Sequence, residues 1–185
     1  MREIKCSIIT GSLRNNGNTE IMSYYFMKKI REGNICTEII NLSNNNVQPC
    51  KDCGFCKENG YCILNDDMDG IIEKIKDTNI LVFATPVYWG GMTGSMKCFI
   101  DRLGFYYEKI TDVKYGCLLV NSEYESNLNL IGDHFSIIFK YLGLEYLGML
   151  SVSGMKNKGD MENDTYVKKI LDFANEIIDN VFNNY

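Results

Sequence analysis

Two prolines in 185 residues, with no Ser/Pro-rich run, low-complexity tract or internal repeat, leave nothing in the composition to mark a second domain. Histidine is nearly absent as well. The single copy, His134, sits in a helical pattern, and neither an HExxH zinc motif nor a Ser/His/Asp set is visible. Basic stretches are missing, and a net charge of −5 argues against nucleic acid as a partner. No apolar run approaches the length of a membrane span. The opening MREIKCSIIT is too short for a signal peptide. It is therefore expected to be a first strand, and the protein to be cytoplasmic with no membrane partner. Two common phosphate-binding signatures, GxGxxG and a P-loop with GK[ST], do not occur.

What remains is an ordinary globular composition, 45% apolar and 23% charged, long enough for one substantial core. One domain is expected over residues 1–185. Near-continuous apolar runs at 4–10, 36–42, 79–85, 115–121 and 144–152 suit parallel strands buried on both faces. Helical patterns alternate with them. Met22, Tyr25, Phe26 and Ile30 share a face, as do Met68, Ile71, Ile72 and Ile75. A helix near 94–104 follows, then one with Leu128, Ile131, Phe135, Ile138, Phe139 and Leu142, and last one with Val167, Ile170, Leu171, Ala174, Ile178 and Val181. The alternation predicts an α/β fold, a three-layer, doubly wound, five-stranded parallel sheet of flavodoxin-like order 2-1-3-4-5. In that order the chain reverses between strands 1 and 3, so loops 11–19 and 86–93 border a crevice.

The first of these loops, GSLRNNGNT, offers Gly11 and Gly17 for tight turns and polar groups on Ser12, Asn18 and Thr19. Arg14 adds a planar cation suited to a phosphate, and the helix that follows presents free N–H groups to an anion. The plainer reading is that Asn18 or Thr19 caps that helix. In the second loop, Pro86, Val87, Tyr88, Trp89 and Gly90 present flat and apolar surface. The plainer reading there is packing onto the core or onto another subunit.

Residues 48–66 form a cysteine-rich loop, with Cys50, Cys53, Cys56 and Cys62 spaced C-x2-C-x2-C-x5-C. Thiols stay reduced in a cytosolic chain, so metal or redox chemistry is favoured over structural disulfides. Close C-x2-C-x2-C runs suit a four-iron cluster, and Gly54 and Gly60 allow the backbone to turn. Zinc, a thiol–disulfide pair, or a vestigial motif in a simpler protein stay open alternatives. Asp66 and Asp67 are expected to cap the next helix. Cys6 and Cys117 read as small buried hydrophobes, Cys36 as the start of a strand and Cys98 as helix packing. Asp160, Glu162 and Asp164 are expected near the start of the last helix.

GSLRNNGNT followed by PVYWGGMTGSMKCFIDR resembles the flavodoxin-like NAD(P)H-dependent FMN reductase family. The cysteine segment resembles its iron–sulfur flavoprotein branch. SGMKNKGDMENDTYVKKILDFA also looks like the family's last loop and helix. The resemblance implies FMN with its phosphate at Ser12, Arg14, Gly17, Asn18 and Thr19 and its ring along Pro86, Val87, Tyr88, Trp89 and Gly90. It further implies a 4Fe–4S cluster on Cys50, Cys53, Cys56 and Cys62. No residue is assigned an acid–base role, since the chemistry belongs to the cofactors. Electrons would pass from NAD(P)H or ferredoxin to a quinone, a small oxidant or a protein. The chain would then be a homodimer or homotetramer. A cluster-free NAD(P)H-dependent FMN or quinone reductase and a non-enzymatic electron carrier are the alternatives. Relatives often carry a glycine-rich loop after strand 4; here it reads NSEYESN, which leaves the role of Asn121, Ser122 and Glu123 open.

Overall fold

The computed structural model describes residues 3–125 and 128–183. Ser126 and Asn127 of the NSEYESN stretch lie outside the described residues. Five strands, β1 (Lys5–Thr10), β2 (Cys36–Asn41), β3 (Ile80–Pro86), β4 (Tyr115–Asn121) and β5 (Glu145–Val152), form one parallel sheet of order β2-β1-β3-β4-β5. The expected order and the expected strand positions are both present. β3 and β4 are buried at every residue, as central strands covered on both faces must be.

Among the described residues the helices are α1 (Asn18–Glu32), α2 (Phe55–Asn59), α3 (Met68–Ile75), α4 (Gly94–Tyr106), α5 (Leu128–Tyr141) and α6 (Asp164–Asn183), all but the short α2 packed on the sheet. Two apolar clusters lie on opposite faces. α1 and α6 pack Met22, Phe26, Ile30, Ile170 and Ile177 against Ile8, Val82 and Leu119. α3, α4 and α5 pack against Ile9, Leu81, Phe83 and Leu118. The alternation Ile8/Ile9 and Val82/Phe83 follows from side chains pointing to opposite faces along a strand. Phe83 is the hub of the second cluster, with ring centroids 5.5 Å from Phe135, 5.5 Å from Phe139 and 6.4 Å from Phe99.

α3 has only eight residues and would not hold its shape alone. It is held by burial of Met68, Ile71, Ile72 and Ile75, each contributing about 1.5–3 kcal/mol. In α6 the buried stripe is rotated from the expected one. Phe173 and Ile177 are buried beside Ile170, Ala174 and Val181, while Val167, Leu171 and Ile178 are only half-buried. The rotation satisfies Phe173, whose ring packs 6.0 Å from Phe26. No helix among the described residues is long and apolar enough to cross a membrane.

Candidate functional site

The loops after β1 and β3 are bound to each other at the carboxyl ends of these two adjacent strands. Gly11 N–H donates to the Ala84 carbonyl at 2.8 Å. The Thr93 and Ser95 hydroxyls, at the start of α4, donate to the Gly11 carbonyl at 2.7 and 2.9 Å. A Cβ on Gly11 would lie 2.8 Å from both Met96 Cβ and Thr93 Oγ1, so only glycine fits this crossing. Gly11→Ala is expected to lower stability by about 1–3 kcal/mol, an overpacking cost readable by denaturant unfolding. An unchanged midpoint would mean that α4 moves freely relative to β1.

α1 begins after Gly17, which brings no side-chain cap, so the first N–H groups of the helix are left to another acceptor. Neither Asn18 nor Thr19 is the cap. The Asn18 amide instead ties α1 to the loop after β5. Its Nδ2 donates to the Asn157 carbonyl at 2.8 Å, and its Oδ1 accepts from Gly159 N–H at 3.0 Å and Met161 N–H at 3.3 Å. The Thr19 hydroxyl donates to Asn121 Oδ1 at 2.5 Å.

Residues 88–91 form a two-residue hairpin, with Tyr88 and Gly91 exchanging backbone hydrogen bonds at 2.9 and 3.0 Å. Both central residues have positive φ, Trp89 at 53° and Gly90 at 79°, as a type I′ turn requires. A tryptophan in the left-handed region is unusual. Its side chain is fully exposed, so core packing does not compensate the strain. Of the two plainer readings, packing onto the core or onto another subunit, the first is not met by Trp89.

A crevice of about 510 Å³ lies between these loops. Its lining includes Ser12, Arg14, Gly17, Asn18, Thr19, Pro86, Val87, Tyr88, Trp89 and Gly90, all ten positions picked from the sequence. Asn121, Ser122 and Glu123 line it too, joined by Tyr124, Met155 and Lys156. Hydrogen bonds fix this second wall. Val87 N–H donates to the Asn121 carbonyl at 2.9 Å, Ser122 N–H to the Val152 carbonyl at 2.9 Å, and Met155 N–H to the Ser122 carbonyl at 3.0 Å. One end of the crevice thus offers uncapped helix N–H groups, a hydroxyl and Arg14; the other offers flat rings. That polarity fits a ligand with an anionic tail and a planar head.

The four clustered cysteines are all free thiols, Cys50 and Cys53 exposed and Cys56 and Cys62 half-buried, and none lines the crevice. Among the described residues no three His, Cys, Asp or Glu side chains stand together as a metal group, so the thiols are not converged. The loop has the expected turns: Gly54 and Gly60 are left-handed, at φ 73° and 75°, on either side of α2. Four thiols on one short loop are a donor set suited to an iron–sulfur cluster.

Asp66 and Asp67 are not simple caps. Asp67 precedes α3 but makes no side-chain cap; its carboxylate accepts from Asn46 N–H at 2.6 Å. Asp66 accepts from Gln48 N–H at 2.9 Å and Met68 N–H at 3.2 Å, and pairs with Arg102 of α4 at 2.5 Å. Burial would raise the Asp66 carboxyl, but the hydrogen bonds from Arg102, Gln48 and Met68 outweigh it and hold the group below its ordinary value. This buried pair joins residues 36 apart and left no local signal in the sequence. Burial pushes the Cys6 and Cys117 thiols up, consistent with inert packing. His134 is exposed on α5, outside the crevice.

A family model described as NADPH-dependent FMN reductase matches residues 4–160. An iron–sulfur flavoprotein of Methanocaldococcus jannaschii is 38% identical over 94 residues, covering 51% of this chain and 49% of that protein. One from Methanosarcina thermophila is 34% identical over 99 residues, covering 54% of this chain and 52% of its own length. The chain thus spans about half the length of the curated relatives it matches. The solved NAD(P)H:quinone oxidoreductase of Methanothermobacter marburgensis superposes with a TM-score of 0.70 at 18% identity, covering 97% of this chain and 99% of that one. At that identity the likeness concerns the fold alone.

Proposed function

The chain belongs to the NADPH-dependent FMN reductase family, and on that premise we propose that residues 1–185 act as one FMN-binding oxidoreductase domain carrying a 4Fe–4S cluster. The observation that carries the reading is the single crevice into which both switch-point loops and the loop after β4 converge. Arg14, the Ser12 hydroxyl and the uncapped N–H groups of α1, those of Asn18 and Thr19 after Gly17, would hold the FMN phosphate. Pro86, Val87, Tyr88, Trp89 and Gly90 would flank the ring, with Asn121 to Tyr124 opposite. Cys50, Cys53, Cys56 and Cys62 would hold the cluster, which requires the loop to draw its thiols together. When bound, FMN supplies interchange between two-electron and one-electron transfer, and the cluster one-electron transfer alone.

Electrons would come from NAD(P)H or ferredoxin and leave to a quinone, a small oxidant or a protein. With no separate nucleotide fingerprint, NAD(P)H would have to dock over the crevice itself. The protein would work as a cytoplasmic homodimer or homotetramer. A cluster-free FMN or quinone reductase is the second reading, favoured by the unconverged thiols.

Anaerobic purification tests both. Flavin bands with about four iron and four sulfide per chain are expected, and NADPH or NADH should bleach the flavin quickly. Flavin without iron or sulfide would leave the cluster-free reductase. Absence of bleaching by either nucleotide, with fast reduction by ferredoxin, would leave an electron carrier.

Trp89 gives a second test of the crevice. Trp89→Asn relieves the left-handed strain and should raise stability by about 1 kcal/mol, while FMN retention falls through loss of the ring contact. Unchanged FMN affinity would remove Trp89 from the site.

A further inference from the structure

The cysteine loop is closed at its neck by charge. Asp67 and Asn46 exchange backbone and side-chain hydrogen bonds across the loop's base, and Asp66 accepts from Gln48 N–H. Arg102 reaches in from α4, the helix that follows the second crevice loop. Its Nη1 donates to Asp66 at 2.5 Å and to the Gln48 carbonyl at 3.3 Å. The residue is only 3% exposed, yet its Nε and Nη2 are buried without a hydrogen-bond partner. A guanidinium carries five N–H donors, and buried ones are rarely left unused. The Tyr106 hydroxyl on this side gives its proton to Asp69 at 2.6 Å and does not meet Nε or Nη2 in hydrogen-bonding geometry. Cys62, four residues before Asp66 in the same loop, packs against the apolar cluster that holds Leu103 and Tyr106 on either side of Arg102's turn of α4.

We propose that Arg102 is a positioning residue of the cysteine loop, fixed by Asp66 on one edge and donating its free Nε–H and Nη2–H groups to sulfur at Cys62 when the thiols converge. The proposal rests on the reading that the four cysteines hold a cluster. Two consequences follow from the chemistry. N–H donors to thiolate or sulfide withdraw electron density and raise the reduction potential of an iron–sulfur centre. A fork anchored to the loop's neck also restrains the arm that carries Cys62. Lysine keeps the charge but lacks the planar fork.

The test compares wild type with Arg102→Lys, both purified anaerobically, by FMN content, iron and sulfide content, cluster midpoint potential and the rate of iron loss to a chelator. R102K should keep FMN, show a more negative cluster potential and lose iron about ten- to a hundredfold faster. A wild-type potential and iron-loss rate in R102K would overturn the role of Arg102 while leaving the cluster reading intact. Wild-type protein without iron or sulfide overturns both, and that result is visible before any variant is made. Should R102K lose its FMN as well, the paired variant Asp66→Asn with Arg102→Met replaces it under the same outcomes, since it leaves no charge buried alone.

Discussion

Replacing Asp66 by alanine is expected to lower the unfolding free energy by about 3–5 kcal/mol, the cost of leaving a buried charge without its partner. The Asp66 and Arg102 side chains are 1% and 2% exposed, so water cannot replace the lost carboxylate. The change also strips acceptors from Gln48 N–H and Met68 N–H, which fray the loop's neck and the start of α3. By contrast, the pairs Lys29–Glu32, Lys76–Glu73 and Lys97–Asp101 are solvated, and removing any of them should change stability by less than about 1 kcal/mol. Denaturant unfolding of D66A beside a Glu73→Ala control would separate the two classes. A loss in D66A no larger than in the control would mean that the neck is wet in solution.

The same pair sets a direction for acid sensitivity. The folded Asp66 carboxyl titrates below its ordinary value, so the unfolded chain binds its proton first as pH falls. The stabilisation is therefore complete above the unfolded value near 4 and is lost as pH drops through the lower folded value. Asp66→Asn should flatten the acid limb of the stability curve while lowering its neutral plateau.

Sheet order was legible because buried parallel strands carry a near-continuous apolar signal and right-handed crossovers leave few topologies. The crevice loops followed from topology as well, since the switch point names them before any side chain is considered. Contacts between distant segments were not legible. Asn18 reads as a cap in isolation, yet its amide joins the loop after β5, a partner 139 to 143 residues away. Met155 and Lys156 reach the crevice from that same loop, where nothing local marks them as lining residues. The Asp66–Arg102 pair failed for a related reason: an aspartate before a helix has a sufficient local explanation, and only folding reveals the arginine. Strain at Trp89 was also hidden, because type I′ hairpins are signalled by Asn-Gly rather than Trp-Gly.

Arg14→Ala is expected to weaken FMN binding by about ten- to a hundredfold, corresponding to the 1.5–3 kcal/mol of a hydrogen bond to a charged group. Arg14 is exposed and has no carboxylate partner among the described residues, so it can turn to a ligand without breaking an ion pair with them. Lys156 lies on the opposite wall of the crevice and supplies a second cation from a flexible stem, so Lys156→Ala should cost less. Riboflavin separates a phosphate contact from a general loss of the site. It carries the same ring without the phosphate, so R14A should leave riboflavin affinity nearly unchanged while FMN affinity falls. Rising salt should weaken FMN binding in wild type more than in R14A, because screening acts on the contact that the variant lacks. Equal losses for FMN and riboflavin would show that Arg14 shapes the crevice and does not bind phosphate. No loss for either would place the phosphate away from the first loop, leaving the uncapped N–H groups of α1 without the ligand their geometry suits.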